Sequence, residues 1–224
     1  MFIVSDSWKA AYPQAHAGIL VMRDVTNPPQ HAELEARKER LQGELRSRFA
    51  GGDRSAIAAL PAIQAYNAYY KPFKKSYHVQ LQLESIALKG KSLPSVAALV
   101  ETMFMAEVKN LLLTAGHDLD ALQLPVRLDV ATGVEQYTLL RGTEQATKSG
   151  DMFMADGAGI ISSILYGPDQ RRQINEKTRN VMFAVYAPEG ISVDATRQHL
   201  EDIRENVLLV SPSARVELLD AFGT

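Results

Sequence analysis

The sequence places one histidine beside two carboxylates, just past the end of a predicted helix. His117 is followed directly by Asp118, and Asp120 comes two residues later. An imidazole near carboxylates can orient a water molecule or take its proton, as a general base does. The same position also suits a histidine that caps the helix or lies on the surface. His117 is therefore a candidate catalytic residue with a structural alternative.

A second polar group falls in a predicted loop between two strands. Thr178 and Asn180 can hydrogen-bond a ribose or an amino acid, and Glu176 lies between the loop's cations. The cations, which can contact phosphates, are Arg171, Arg172, Lys177 and Arg179. For Thr178 and Asn180 the structural alternative is a turn that holds its own backbone together. The loop is a candidate RNA-binding and substrate-binding segment.

A third cluster mixes cations with aromatic residues. Its members are Tyr69, Tyr70, Lys71, Phe73, Lys74, Lys75, Tyr77 and His78. Such mixtures can stack bases on rings and pair phosphates with cations. The alternative is a solvated loop whose aromatic side chains turn into the core, and the sequence favours that alternative.

The composition excludes several classes of chemistry. The 224 residues include no cysteine, which removes thiolate nucleophiles, disulfides and cysteine-ligated metal sites and fits a reducing compartment. The five histidines are not paired at metal-ligand spacing, so we predict no metal site and no cofactor. Phosphate-loop, zinc-helix and nucleophile-elbow motifs are missing from the sequence. The run Asp156-Gly157-Ala158-Gly159 predicts a hairpin turn rather than a nucleotide loop.

Net charge and hydropathy restrict the partners. A formal charge of −2 lacks the basic excess typical of proteins on duplex nucleic acid, so we expect no DNA partner and only a local patch for RNA. No apolar run approaches the ~20 residues of a membrane span. The first residues lack the pattern of a secretory signal. We therefore expect a cytoplasmic protein without membrane contact, and the sequence does not indicate an oligomeric state.

Hydrophobic periodicity and turn residues predict an α+β fold. Strands are predicted at 2–4, 18–25, 126–130, 136–140, 151–155, 159–165, 181–186 and 214–219, and helices at 29–49, 55–70, 85–88, 93–113 and 196–205. Strands and helices do not alternate regularly, which excludes a doubly wound parallel fold. We expect a single domain over 1–224, with a mixed or antiparallel sheet core flanked by helices.

Several short motifs occur in the order and approximate spacing of a known domain. They are KGKSLPSV (89–96), LVE (99–101), DLD (118–120), Glu135, LLRGTE (139–144), AD (155–156) and INEKTRNV (174–181). The chain resembles the tRNA-binding and editing domain of the beta subunit of bacterial phenylalanyl-tRNA synthetase, as a free-standing protein. The resemblance covers about 75–190, with 1–74 as the N-terminal part of the same domain and 191–224 as a closing helix and strand.

The resemblance implies a function on aminoacyl-tRNA. In that family the domain hydrolyses tyrosine wrongly esterified to the tRNA acceptor end, by positioning a water and the ester without a metal. Carried over to this chain, His117 would hold the water, Thr178 and Asn180 would orient the ester, and the arginines would hold phosphate. The implied partner is a tRNA or the acceptor end of an aminoacyl-tRNA.

Three positions depart from the family pattern. Ala184 stands where the family carries a glutamate that recognises the tyrosine hydroxyl, and Phe104 stands where it carries an asparagine. The family's histidine falls near Ala115, two residues from His117. A site built to hydrogen-bond a hydroxyl loses its discrimination when that partner becomes a methyl group. The implied substrate-binding positions are Asn180, Glu176, Ala184 and Phe104, without an expectation of tyrosine specificity.

Three hypotheses follow from these residues. The first is a protein that binds the aminoacylated end of tRNA and hydrolyses a misacylated species in trans. The second is a catalytically silent binding module for an amino-acid-like ligand or a protein partner, which Ala184 and Phe104 favour. The third is an unrelated small-molecule hydrolase that uses His117, Asp118 and Asp120.

Overall fold

The computed structural model describes residues 2–223. The strands are β1 Phe2–Val4, β2 His16–Arg23, β3 Leu113–Asp118, β4 Val126–Val130, β5 Gln136–Thr138, β6 Glu144–Ala146, β7 Met152–Asp156, β8 Gly159–Ser163, β9 Gly167–Pro168, β10 Val181–Ala187 and β11 Arg215–Phe222. The helices are α1 Asp6–Ala11, α2 Ala32–Arg48, α3 Arg54–Ala58, α4 Pro61–Tyr70, α5 His78–Ala87, α6 Ala98–Asn110 and α7 Val193–Val210. Short 3₁₀ turns cover Lys71–Phe73 and Leu119–Ala121.

Two sheets form the framework of the molecule. The antiparallel sheet has the strand order β11-β2-β10-β3. The mixed sheet has the order β1-β4-β7-β8-β9, in which β1 and β4 pair in parallel. Strands β5 and β6 form a separate hairpin. The predicted α+β class, with mixed and antiparallel sheets flanked by helices in a single domain, is confirmed.

Strand β10 lies in the middle of the antiparallel sheet, and all of its residues are buried. Because both faces are covered, its sequence VMFAVYA is apolar throughout instead of alternating. One face of the sheet packs against α7. Gly18 of β2, which pairs with Val185 of β10, lies so close to this helix that a Cβ on it would come within 2.4 Å of Thr196 Cγ2. The other face meets the mixed sheet, where the Tyr186 hydroxyl donates to the Ser162 carbonyl at 3.0 Å.

Both boundaries of the helix predicted at 93–113 are wrong, for identifiable reasons. Helix α6 begins at Ala98 rather than near 93, because the Ala98 amide donates to the Pro28 carbonyl and the preceding segment stays extended. It ends where Leu111 adopts a left-handed conformation with φ 63°, so the residues after it enter β3. Gly116, which follows the predicted helix, lies inside β3, where a Cβ would come within 2.7 Å of Ile174 Cδ1.

The cluster of aromatic and basic residues around residue 70 follows the structural alternative, a solvated loop whose aromatic side chains turn into the core. Tyr69, Tyr70 and Tyr77 are buried, whereas Lys74 and Lys75 are exposed. The turn predicted at 156–159 joins β7 to β8 and is confirmed. No helix within residues 2–223 is both long and apolar enough to cross a membrane.

Candidate nucleic-acid interface

The predicted polar loop connects β9 to β10 and runs beside the end of β3. We call residues 170–180 the arginine loop. The Asp118 amide donates to the Arg172 carbonyl and the Leu119 amide donates to the Asn180 carbonyl, each at 2.9 Å. The arginine loop and the predicted group at 117–120 are therefore brought together at one end of the antiparallel sheet.

Thr178 fastens the arginine loop to β3. Its hydroxyl donates to Asp118 Oδ2 at 2.7 Å and accepts from the Asn175 amide at 3.0 Å. The side chain is buried, with 1% of the residue exposed. Because its proton and one lone pair are both engaged, the Thr178 hydroxyl orients the loop in this conformation. Its predicted role in catalysis stays a prediction.

Asn180 lies half-buried at the point where the loop enters β10. Its Nδ2 donates to both carboxylate oxygens of Asp120, at 2.9 and 2.8 Å. The same carboxylate lies 3.9 Å from the Arg23 guanidinium. Asp120 thus has a cationic neighbour that weakens its repulsion of an approaching phosphate.

Arg172 is turned inward, in contrast to the other cations of the loop. Its side chain is 3% exposed, and its guanidinium contacts Asp156 at 2.5 Å and Asp169 at 2.9 Å. Burial on its own raises the pKa of Asp156, but the hydrogen bonds from Arg172 outweigh it and the pKa is lowered. In this conformation the guanidinium is almost wholly covered, and the predicted role of Arg172 in RNA binding stays a prediction.

The remaining predicted cations face solvent. The Arg171 side chain is 51% exposed, and Lys177 and Arg179 are also exposed. Arg179 Nη1 donates to the Thr178 carbonyl at 3.0 Å, which directs the side chain along the loop. The loop therefore presents three exposed cations on a backbone that is held at both ends.

His117 lies in β3 and is fully buried, so the structural alternative of a helix cap or a surface histidine does not hold. Neither ring nitrogen has a hydrogen-bond partner within residues 2–223. Burial, and then the nearby Arg172 guanidinium, lower the pKa of His117 to about 3, against the opposing effect of Asp156. The imidazole is therefore neutral at pH 7 and a weak base. Its predicted role as a water holder stays a prediction.

Replacing His117 by leucine is expected to raise the free energy of unfolding at pH 7 by about 1–2 kcal/mol, because two buried nitrogens without partners are removed. The difference in the free energy of unfolding between the variant and the wild type should increase as the pH falls from 6.5 toward 5. In that window the unfolded histidine takes up a proton that the folded one does not, which favours unfolding of the wild type by up to ~1.4 kcal/mol per pH unit. Urea unfolding at pH 7 and pH 5 measures both effects.

Leucine is close to histidine in volume, so the variant tests the polar atoms rather than the packing. A variant less stable than the wild type at both pH values would contradict this assignment. It would mean that the imidazole makes a favourable polar contact.

A polar cleft of about 350 Å³ opens beside the arginine loop. One wall carries Glu176 and Arg179, and the other is formed by residues 26–29. Asn27 links the two walls, because its Nδ2 donates to the Asn175 carbonyl at 3.0 Å. Its Oδ1 accepts from the Leu99 amide of α6 at 2.9 Å, which fixes the side chain. We call this space the proline cleft, after Pro28 and Pro29. Two predicted site residues therefore share one cavity.

Ala184 and Phe104 do not line the proline cleft. Ala184 is fully buried in β10, between Ala115 of β3 and Ile19 of β2. Phe104 is a half-buried residue of α6 that packs against the hydrophobic core. The substrate-binding roles implied for both positions stay predictions. In this conformation they are separate from the cleft that Glu176 and Arg179 share.

Sequence reasoning missed two parts of this site. Asp169, the second carboxylate that holds Arg172, had no local signal. Residues 26–29 carried no functional signal in the sequence, although an asparagine before two prolines is typical of a turn with a fixed backbone. Within residues 2–223 no cluster of three or more potential metal ligands occurs.

No protein-family model matches the sequence, and no curated protein matches it. Among solved structures, the chain is similar to an N-terminal fragment of the phenylalanyl-tRNA synthetase beta-subunit from Pyrococcus horikoshii, with 9% sequence identity and a TM-score of 0.49. The match covers 96% of this chain and 50% of that one, so the chain spans about half the length of that structure. A likeness this weak does not bear on function.

Proposed function

We propose that this protein binds the aminoacylated end of a tRNA through the arginine loop and the proline cleft. The observation that carries the proposal is the pairing of three exposed cations, Arg171, Lys177 and Arg179, with a small polar cleft on the same loop. Cations on a fixed backbone can contact the phosphates of the single-stranded acceptor end. The cleft is then the place for the terminal ribose and its amino acid.

The charges that line the cleft match those of an aminoacyl ester. A free α-amino group is cationic and pairs with the exposed carboxylate of Glu176, while Arg179 can meet the terminal phosphate. Uncharged tRNA lacks the ammonium and would leave Glu176 without a partner. The proposal therefore predicts that the cleft distinguishes charged from uncharged tRNA.

The loop's anchors support binding by pre-organisation. Thr178 is hydrogen-bonded to Asp118, and Arg172 is paired with Asp156 and Asp169 inside the protein. A loop that is already ordered loses less conformational entropy when it binds RNA. We assign Arg172 to this bracing role rather than to phosphate contact.

Hydrolysis through His117 and Thr178 is not part of the proposal. An efficient general base has a pKa near the working pH, whereas the pKa of His117 is lowered to about 3. The Thr178 hydroxyl is already engaged by Asp118 and Asn175. In single-turnover assays on a panel of correctly and wrongly charged tRNAs, we expect only the spontaneous rate of deacylation. Selective hydrolysis of one species would establish the hypothesis of editing in trans instead.

Neutralising one exposed cation of the loop is expected to weaken tRNA binding and reduce its salt dependence. Each of Arg171→Gln, Lys177→Gln and Arg179→Gln should remove about one phosphate contact, lowering the slope of log K against log salt by about 0.7–1. Titration of labelled tRNA at several salt concentrations measures both quantities.

Arg40→Gln serves as the matched control, since Arg40 is an exposed cation of α2 that does not line the proline cleft. It should bind tRNA with the affinity and slope of the wild type. An equal loss of tRNA affinity in Arg40→Gln and in the loop variants would mean that tRNA is attracted by overall charge alone. That result would contradict the proposal.

A further inference from the structure

A larger and more apolar cleft lies at the other end of β10. It has a volume of about 680 Å³, within the ~300–1,000 Å³ usual for small-molecule sites. Helix α4 contributes Ala65 and Ala68, and the loop after β10 contributes Pro188 and Glu189. Strand β10 separates it from the arginine loop by roughly 20 Å, at ~3.3 Å per residue. We call it the aromatic cleft, and it is distinct from the site of the proposed function.

Three aromatic rings line the aromatic cleft in a connected row. The Tyr69 ring centroid lies 5.9 Å from that of Tyr12 and 5.4 Å from that of Phe73, and both pairs are tilted. Aromatic and proline surfaces favour a ligand with a flat or compact apolar body. The rings supply area at little cost in side-chain entropy, because few torsions must be fixed.

The hydroxyl groups of the two tyrosines are already fixed by the protein. The Tyr69 hydroxyl donates to Asp151 Oδ1 at 2.9 Å and accepts from the Met152 amide at 2.7 Å. The Tyr12 hydroxyl donates to the Gly150 carbonyl. These hydrogen bonds hold the Tyr69 and Tyr12 rings in place, so less side-chain entropy is lost when a ligand binds. The cleft is therefore pre-organised before a ligand arrives.

The charge of the aromatic cleft has one sign. Among the residues that line it within the described part of the chain, Glu189 is exposed and carries a negative charge, and none is lysine, arginine or histidine. Lys148 donates to the Phe73 carbonyl at 2.7 Å but is not among the lining residues. A carboxylate at an aromatic cleft complements a cation and repels an anion.

We propose that the aromatic cleft binds a small organic cation with an aromatic or compact aliphatic body. Its apolar body packs against Tyr69 and Phe73, and its ammonium faces the Glu189 carboxylate. The inference rests on the walls, volume and charge of this cleft and does not depend on tRNA binding at the arginine loop.

The single tryptophan of the chain offers a direct readout. The Trp8 ring centroid lies 6.3 Å from that of Tyr12, which lines the cleft. Titration with 2-phenylethylamine should give a saturable change in tryptophan fluorescence. Its anionic counterpart, 3-phenylpropionate, should bind at least ~10-fold more weakly, because Glu189 repels it.

Three variants complete the test. Glu189→Gln should weaken binding of the amine by about 5-fold or more. Ala68→Phe should abolish it, because Ala68 is an exposed lining residue and a ring there fills the cleft. Ala36→Phe, the same change at an exposed position of α2, should bind like the wild type.

Several results would overturn the proposal. These are no saturable binding of the amine, equal binding of the amine and the carboxylate, or unchanged binding in Ala68→Phe. If a second copy of this chain occupied the cleft instead, the protein would form a concentration-dependent dimer that Ala68→Phe dissociates. Neither probe would then bind, and the proposal would be wrong.

Discussion

Arg172→Met is expected to lower the free energy of unfolding by about 3–5 kcal/mol, because it leaves the buried Asp156 without its cation and the buried Asp169 with only the exposed Arg171. The Asp156 and Asp169 side chains are 0% and 1% exposed, and both lie against the Arg172 guanidinium. At ~2–4 °C per kcal/mol for a chain of this size, the midpoint of thermal unfolding should fall by roughly 6–20 °C. Differential scanning calorimetry measures the shift.

Arg171→Met is the matched control for this variant. Arg171 adjoins Arg172 and also contacts Asp169, but its side chain is 51% exposed. Since exposed ion pairs contribute ~0–1 kcal/mol, the control should lose little stability. Equal losses in the two variants would contradict the assignment of Arg172 as the internal brace of the arginine loop.

Glu107→Gln is expected to remove one contribution to the pH dependence of stability, a contribution that lowers the stability of the wild type as the pH rises from 5 to 8. Glu107 is 2% exposed, and burial raises its pKa to about 8, more than the hydrogen bond from the Thr114 amide lowers it. The folded protein therefore holds a proton that the unfolded chain releases above pH ~4.5. Because the unfolded state binds fewer protons, stability falls as the pH rises through this window, by up to about 4 kcal/mol.

In the wild type, Glu107 Oε1 accepts a hydrogen bond from the Thr114 amide at 2.9 Å. The side-chain oxygen of glutamine can accept the same hydrogen bond. Urea unfolding should show that the free energy of unfolding at pH 8, taken relative to its value at pH 5, is higher in the variant than in the wild type. The other buried groups contribute equally in both proteins: Asp151 acts with the same sign, because burial raises its pKa to about 7, whereas His117 and His199 act with the opposite sign below pH 6.5, because burial lowers their pKa values to about 3. Glu205→Gln, at an exposed position of α7, is the control. An identical pH dependence in wild type and Glu107→Gln would disprove the assignment.

The fold was largely predictable because its central elements have local signals. The apolar run of β10 and the Leu-rich periodicity of α2 indicate their structures without reference to the rest of the chain. The helix predicted at 55–70 divides into α3 and α4 because Pro61 takes the first position of a new helix. Its fixed φ suits that position and its missing amide costs nothing there.

The candidate site was less predictable because its geometry depends on distant contacts. Arg172 and Arg171 have the same type and neighbouring positions, and only the packing of β7 against the loop decides which one turns inward. His117 follows a predicted turn in the sequence, yet pairing of β3 with β10 carries it into the core. The aromatic cleft joins segments near residues 12, 69, 150 and 189, which no local pattern can bring together.

The most direct test of the central claim compares one tRNA in its aminoacylated and deacylated forms. Equilibrium binding should be tighter for the aminoacylated form, and Glu176→Gln should remove that preference because it removes the carboxylate that faces the α-ammonium. Arg171→Gln should weaken both forms equally, since it acts on phosphate alone. Equal affinity of the wild type for the two forms would contradict the account, because the proline cleft would then not recognise the amino acid.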